Sequence, residues 1–338
     1  MIVFLLRRLF LLGTVLLGLS IFAFALGYLF PGDPLQNFSG LRYIDSTQRD
    51  LLISEYRLDQ SYLAQYLAFL ERIIAGNWGL SFASQQPLLQ EIWQVLPATL
   101  ELTAYALLLS FVLGVPFGIL AAIKPQGVFG KTISGLALIG YSLPIFWWAL
   151  LLIMFFCIGL GWFPSGGRIG VLYEIPSVTG FIMLDIMYAD VSYQQAAFND
   201  ALTHLILPTL VLATYPTTVM IRFVRDAMLE VWDQNYIKTA KAKGLNRLQV
   251  LYRHGLRNAL LPVIRQIGLQ FSALITLAML TEVIFSWPGI GRWLIDSIYQ
   301  RNFPAIQSGL MIISTLVITV NMLTEILHTL FNPLARKS

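Results

Sequence analysis

The chain has 338 residues, of which 57% are hydrophobic and 12% charged, at a mean hydropathy of +0.70. Soluble domains carry about 25% charged residues, so this composition, with several apolar runs near membrane length, excludes a soluble domain and gives an all-α, polytopic membrane protein. The net charge of +4 comes from basic residues spread over the loops between those runs, which speaks for topology and against nucleic acid, and the lone Cys157 excludes an intrachain disulfide or a Cys-based metal site.

Residues 1–30 form the first transmembrane helix, with Arg7 and Arg8 ahead of an apolar run from Leu9 to Phe30. Ala23-Phe24-Ala25 also fits a signal-peptidase site, but the run is long enough to span and the rest of the chain is itself apolar; an uncleaved helix is expected. Pro31-Gly32-Asp33-Pro34 stops that helix and opens a polar insertion over 31–96. There, Leu51, Leu52, Tyr56, Tyr62, Tyr66, Leu67 and Leu70 give a helical period with charges between, predicting one or two amphipathic helices.

The second span is expected over Pro97–Ile123. Gly130-Lys131-Thr132 in the loop after it resembles the end of a phosphate-binding loop, but Pro125 stands at the first glycine position and no strand precedes it. A third span is read over Ile133–Leu160, kinked at Pro144. An outer loop, Gly161 to about Thr203, carries Glu174, Asp185, Asp190 and Asp200 against Arg168. Its apolar stretch Phe181–Met187 is too short to span. The fourth span is expected over His204–Arg225, the fifth over Pro262–Phe285 and the sixth over Ala305–Phe331, followed by a tail over 332–338.

Between the fourth and fifth spans lies the longest polar run of the second half, Asp233–Pro262. Asp233 as N-cap and Gly244 as a left-handed C′ residue predict a first short helix; Asn246 and Gln249 give a capping-box start for a second. A rigid basic helix-turn-helix results, although the same charges also read as a solvated topology loop.

The six-span arrangement agrees with charge. Of 22 Lys and Arg, 15 fall on one side if both termini are cytoplasmic, including Lys238, Lys241, Lys243, Arg247, Arg253 and Arg257.

Carboxylates in or at the ends of spans are expensive, which makes Glu101, Glu282 and Glu325 stand out. The bland alternative is a carboxylate satisfied by a helix N-terminus. The fifth span carries a polar stripe. Gln266 and Gln270 share one face; Gly268, Ser272 and Thr276 share another. One face is expected to line a pathway and the other to pack on a partner subunit, with packing inside the bundle as the alternative. His204, His254 and His328 have no metal-ligand spacing, and no nucleophile motif accompanies them, so no catalytic residue, metal or cofactor is expected.

Several words carry a family resemblance. Ala240-x-x-x-Gly244 followed by His254-x-Leu256-Arg257-Asn258-Ala259-Leu260-x-Pro262, the opening Leu-Pro-Ala-Thr-Leu-Glu-Leu of the second span, Gly76-Asn77-Trp78-Gly79-Leu80-Ser81 and Phe285-Ser286-Trp287-Pro288-Gly289 together resemble binding-protein-dependent ABC importer permeases of the peptide (Dpp/Opp) type. More narrowly, Leu172-Tyr173-Glu174, Thr179-Gly180-Phe181, Asp233-Gln234-Asn235-Tyr236 and Leu269-Gln270-Phe271-Ser272 resemble the SapB-type permeases of Sap peptide transport systems.

The resemblance implies a type I ABC importer permease fold over 97–331, with a coupling loop over 226–262, and a periplasmic location for the insertion 31–96. It implies a bacterial inner-membrane location, a second permease subunit, two ABC ATPase subunits, a periplasmic substrate-binding protein, and a peptide substrate, cationic or antimicrobial for Sap-like systems, or a polyamine. Lys238, Thr239, Ala240, Gly244, His254, Leu256, Arg257 and Asn258 would couple to the ATPase. Gln266, Gln270, Ser272, Thr276, Glu282 and Glu101 are pathway or gate candidates. Two departures are visible: Lys238-Thr239-Ala240 replaces the common Glu-Ala-Ala, and Leu256-Arg257 stands where Leu-Pro is usual. A secondary transporter without ATPases is the rival class.

Overall fold

The computed structural model describes residues 2–245, 247–250, 255–256 and 263–331. Helices dominate, and among the described residues the only extended pairing is an isolated antiparallel bridge between Leu80 and Pro87. Among the described residues five helices are long and apolar enough to cross a membrane, and a bent helix pair can supply a sixth span. The chain divides into two compact units, residues 1–99 with 288–319 and residues 100–287 with 320–338.

In the first unit, α1 (Ile2–Leu29) is followed by three short helices: α2 (Pro34–Ser39), α3 (Ser46–Tyr56) and α4 (Tyr62–Ile74). The start of α5 (Leu88–Ile123) belongs here too, as do α13 (Ile290–Tyr299) and the first part of α14 (Phe303–Phe331). Asp33 caps α2 by accepting from the Leu35 amide, with Pro34 at the first helical position, so the Pro-Gly-Asp-Pro stop for α1 is also the start of the next helix. Gly40 closes α2 with φ 78°, and its α-carbon abuts the Leu80 backbone; a side chain there has no room. Ala23, Leu35, Phe38, Tyr56, Phe69 and Met311 form the core of the unit. The insertion is thus no separate appendage. It packs on α1 and α14, and Asn302 joins it by donating to Ser81 Oγ (2.8 Å) and accepting from the Phe82 amide (2.9 Å).

The second unit is built on α9 (Gln194–Trp232), which contacts α6 (Val128–Ser142), α7 (Ile145–Leu152), α8 (Ile182–Tyr188), α10 (Asn235–Ala242) and α12 (Val263–Ile284). Gly114 and Gly118 of α5, four residues apart, let α9 approach. A Cβ at Gly114 would stand 2.6 Å from that of Met220, and one at Gly118 would stand 2.8 Å from the Ile221 carbonyl oxygen.

Four expectations about the elements are sharpened or shifted. The third span breaks at Pro144, where a kink is expected, and it breaks sharply: α6 and α7 meet at an angle of 103°. Pro144 has no N–H to continue the ladder, and Leu143 before it is extended (φ −74°, ψ 124°), as the residue preceding proline tends to be. A π-helical stretch, Ile153–Gly159, completes this segment. Helix α9 starts at Gln194, ten residues before His204, and α5 at Leu88, nine before Pro97; polar residues in the opening turns (Gln194 and Gln195, Gln90 and Glu91) interrupt the hydropathy there. The loop after the fifth span contains α13. Phe181–Met187 lies on α8, a seven-residue helix that is too short to span.

Candidate functional site

Asp233 ends α9 instead of capping the next helix; Gln234 opens α10, its carbonyl accepting from the amides of Ile237 (3.1 Å) and Lys238 (3.2 Å). Two adjacent polar residues at a helix junction make either assignment possible from sequence. The inner face of α10 holds Ile237 and Ala240, packed with Val250 of α11 (Arg247–Val250) and with Val231, Trp232 and Leu245. Gly244 has φ 82°, the left-handed conformation expected of it, and among the described residues beyond its chain neighbours no atom lies within 4 Å of where a Cβ would stand. Lys243 and Leu245 donate to Thr239 and Ala240, closing the turn.

This packing sorts the coupling candidates. Lys238, Thr239 and Gly244 are exposed, alongside Asn235, Tyr236 and Lys243. Ala240 is buried at 6% exposure, so its small size serves packing within the segment and not a contact at its surface. Leu256 is half-buried and packs on Met220, Val224, Met228 and Val263. His254, Arg257 and Asn258 lie outside the described residues, as does the Asn246 cap. Lys238 approaches Asp233 at 3.8 Å, both side chains largely exposed.

The polar stripe of the fifth span is α12. Its small face closes on α14 of the same chain: Asn321 Nδ2 donates to Ser272 Oγ at 2.7 Å, and Ser272 donates to the Gly268 carbonyl at 3.1 Å. A Cβ on Gly268 would collide with Thr324 Oγ1. The expectation that this face packs on a partner subunit is therefore replaced, for Gly268 and Ser272, by packing inside the bundle. Thr276 is exposed, with its hydroxyl donating to the Ser272 carbonyl (3.3 Å), and Gln266 is half-buried. Gln270 is buried at 3% exposure, and its Oε1 has no hydrogen-bond partner among the described residues. Glu282 is fully buried near the end of α12.

Glu101 is held in a local network. Its carboxylate pairs with Arg168 at 2.5 Å and accepts from the amides of Ile182 (3.2 Å) and Met183 (3.1 Å), the first residues of α8. Arg168 also donates to the Gly180 carbonyl and stands 5.6 Å from the Trp287 ring centroid. The same turn is closed by Asp185, which accepts from Thr179 N, Thr179 Oγ1 and Gly180 N. Asp200 accepts from Gly170 N and approaches His204 at 3.4 Å. Of the four acids in this loop, Glu174 and Asp190 stay exposed while Asp185 and Asp200 hold the loop in shape. The Glu101–Arg168 pairing spans 67 residues, and no local pattern announces it.

Membrane-length helices, with a short basic helical turn exposed between two of them, make this a multi-pass membrane protein. Residues 114–337 match the family model "Binding-protein-dependent transport system inner membrane component", and residues 1–103 match its N-terminal companion, "Binding-prot-dependent transport system membrane comp, N-term". The chain belongs to this family, as a multi-pass inner-membrane transport permease and not an enzyme. It is 43% identical to the di/tripeptide transport system permease protein DppB of Pseudomonas aeruginosa over 99% of both chains. It is 41% identical to the peptide transport system permease protein SapB of Salmonella typhimurium over 100% of this chain and 98% of that one. SapB of Escherichia coli, described as a putrescine export system permease, is 40% identical with the same coverage. Dpp-type and Sap-type relatives are thus about equally similar. The fold resembles a chain of the inward-facing MetNI methionine ABC transporter, at TM-score 0.52 and 18% identity over 72% of this chain and 96% of that chain.

Proposed function

We propose that this chain forms half of the translocation pathway of an ATP-driven peptide transporter, working with a second permease, two ATPase subunits and a substrate-binding protein. The observation that carries the reading is the full-length similarity to permeases named for di/tripeptide and peptide transport. Both termini are placed in the cytoplasm, which puts the basic segment 226–262 on the ATPase side and the insertion 31–96 in the periplasm. The exposed Lys238, Thr239 and Gly244 then form part of the docking surface. In the finer reading the substrates are cationic peptides, as the Sap-type sequence words suggest; the exposed Glu174 and Asp190 supply a weak negative field toward them.

The name of the Escherichia coli relative favours putrescine as a second substrate class. The test is transport in proteoliposomes by the complex that co-purifies with this chain. ATP-dependent movement of short peptides, basic ones over neutral ones, is expected. Movement of putrescine alone would replace the peptide reading, and transport by the isolated chain without ATP would replace the ATPase-coupled one.

A further inference from the structure

Helix α4 lies outside the six spans, yet its outward face is apolar. Leu63, Leu67 and Ile74 are 67%, 46% and 83% exposed, and Leu70 between them is half-buried. The spacing i, i+4, i+7, i+11 makes one continuous stripe along the helix. On the helical wheel this stripe lies between Tyr66, which faces α1, and Glu71, which is exposed and paired with Arg57 at 2.9 Å. The apolar stripe therefore adjoins the contact with α1, and the charged edge lies away from it.

The contacts with α1 set the depth of α4. Tyr62 meets Tyr28 in the last turn of α1, with ring centroids 5.7 Å apart. Tyr66 and Phe69 meet Phe24, at 5.6 and 5.7 Å, and Tyr66 Oη is 2.7 Å from Ser20 Oγ. Phe24 lies five residues short of the end of α1, about 8 Å along the helix axis, and Ser20 about 14 Å. Helix α1 is a membrane span whose neighbouring residues Leu17, Ile21 and Phe22 are exposed. With the end of α1 at the bilayer surface, the contacts of α4 run from that end at Tyr28 to about 14 Å in at Ser20, a range that brackets the depth of about 5–10 Å at which amphipathic helices rest.

We propose that α4 is an interfacial membrane helix: Leu63, Leu67, Leu70 and Ile74 contact lipid acyl chains in the leaflet that holds the C-terminal end of α1. The insertion is then held to the bilayer at α4 as well as by the spans at either end. This goes beyond the transport reading and stands independently of the substrate.

Single-cysteine variants test it. In a Cys157→Ala background, Leu63→Cys, Leu67→Cys and Ile74→Cys are labelled with an environment-sensitive fluorophore, and the protein is reconstituted with its co-purifying subunits. Phe22→Cys on α1 serves as the lipid reference and Asp59→Cys as the water reference. Nitroxide lipids labelled near the headgroup are expected to quench the three α4 positions about twofold more than they quench Asp59→Cys, with aqueous iodide quenching weakly. Strong iodide quenching without nitroxide quenching overturns the proposal, because the stripe then faces water. Protection from both quenchers also overturns it, because a protein partner then covers the stripe. Gel filtration of each labelled complex excludes variants that fail to assemble.

Discussion

Glu101 and Arg168 form an ion pair at 2.5 Å, with Glu101 fully buried and Arg168 only 14% exposed. Together they hold the N-terminus of α8. Removing one partner strands the other charge away from water, which costs about 3–5 kcal/mol, whereas removing both costs far less. Glu101→Gln and Arg168→Met are each expected to lower the thermal midpoint of the detergent-solubilised protein sharply. The double variant should recover much of that loss. Simple addition of the two effects would show that the pair does not act as a unit.

The α12–α14 contact makes a second prediction. Gly268→Ala places a methyl group against Thr324 Oγ1 and 2.9 Å from Asn321 Oδ1, so the helices must part. Overpacking of this kind costs about 1–3 kcal/mol. Thr324→Ala in the same chain removes the hydroxyl and should restore part of the stability, measured as the midpoint of thermal aggregation in detergent. No difference between Gly268→Ala and the parent would mean that the two helices are not in close contact.

How much of this was legible in the sequence depends on whether the signal is local. Gly244 was readable because a left-handed C′ position is a property of one residue and its turn, and φ 82° follows. Pro144 was readable as a break for the same reason, but not its 103° angle, which packing sets. The stripe of Gly268 and Ser272 was readable as a close-packing face; its partner, α14, was not, because spacing on one helix cannot say which neighbour fills it. Glu101 was ambiguous until Arg168 and the amides of Ile182 and Met183 came together from distant segments. Asp233 was misassigned because the junction between α9 and α10 offers two polar residues for one cap.

Gln270 separates packing from function within α12. Its Oε1 is buried without a partner, and an unsatisfied buried acceptor costs about 1–3 kcal/mol. Gln270→Leu keeps a similar volume and removes that cost, so the thermal midpoint should rise. If Gln270 also lines the pathway, transport falls while stability rises. A lower midpoint for Gln270→Leu would show that the carbonyl is satisfied in the assembled protein.

The proposed docking role of the α10–Gly244 turn gives the most discriminating prediction. Gly244 has open space around it, so a side chain meets no neighbour and only the backbone conformation is strained. At φ 82° a residue with a Cβ costs about 1–2 kcal/mol, and a β-branched one costs more. That is too little to unfold a bundle of membrane-length helices, but it is enough to re-aim a short exposed helix. Gly244→Val should therefore reach the membrane at near-normal level while ATP-dependent transport falls. Gly244→Asn, which tolerates the left-handed region, should keep most of it. Ala240→Leu should behave differently from both, because Ala240 is packed against Ile237 and Val250; its loss of transport should come with a lower thermal midpoint. Lys238→Ala should be mild, since the carboxylate common at this position is already absent from the docking surface and the approach of Lys238 to Asp233 is long and largely exposed. Membrane level, thermal midpoint and coupled ATPase activity, measured on all four, separate the cases. Full transport by Gly244→Val would leave this segment as a charged topology element and would remove it from the docking surface.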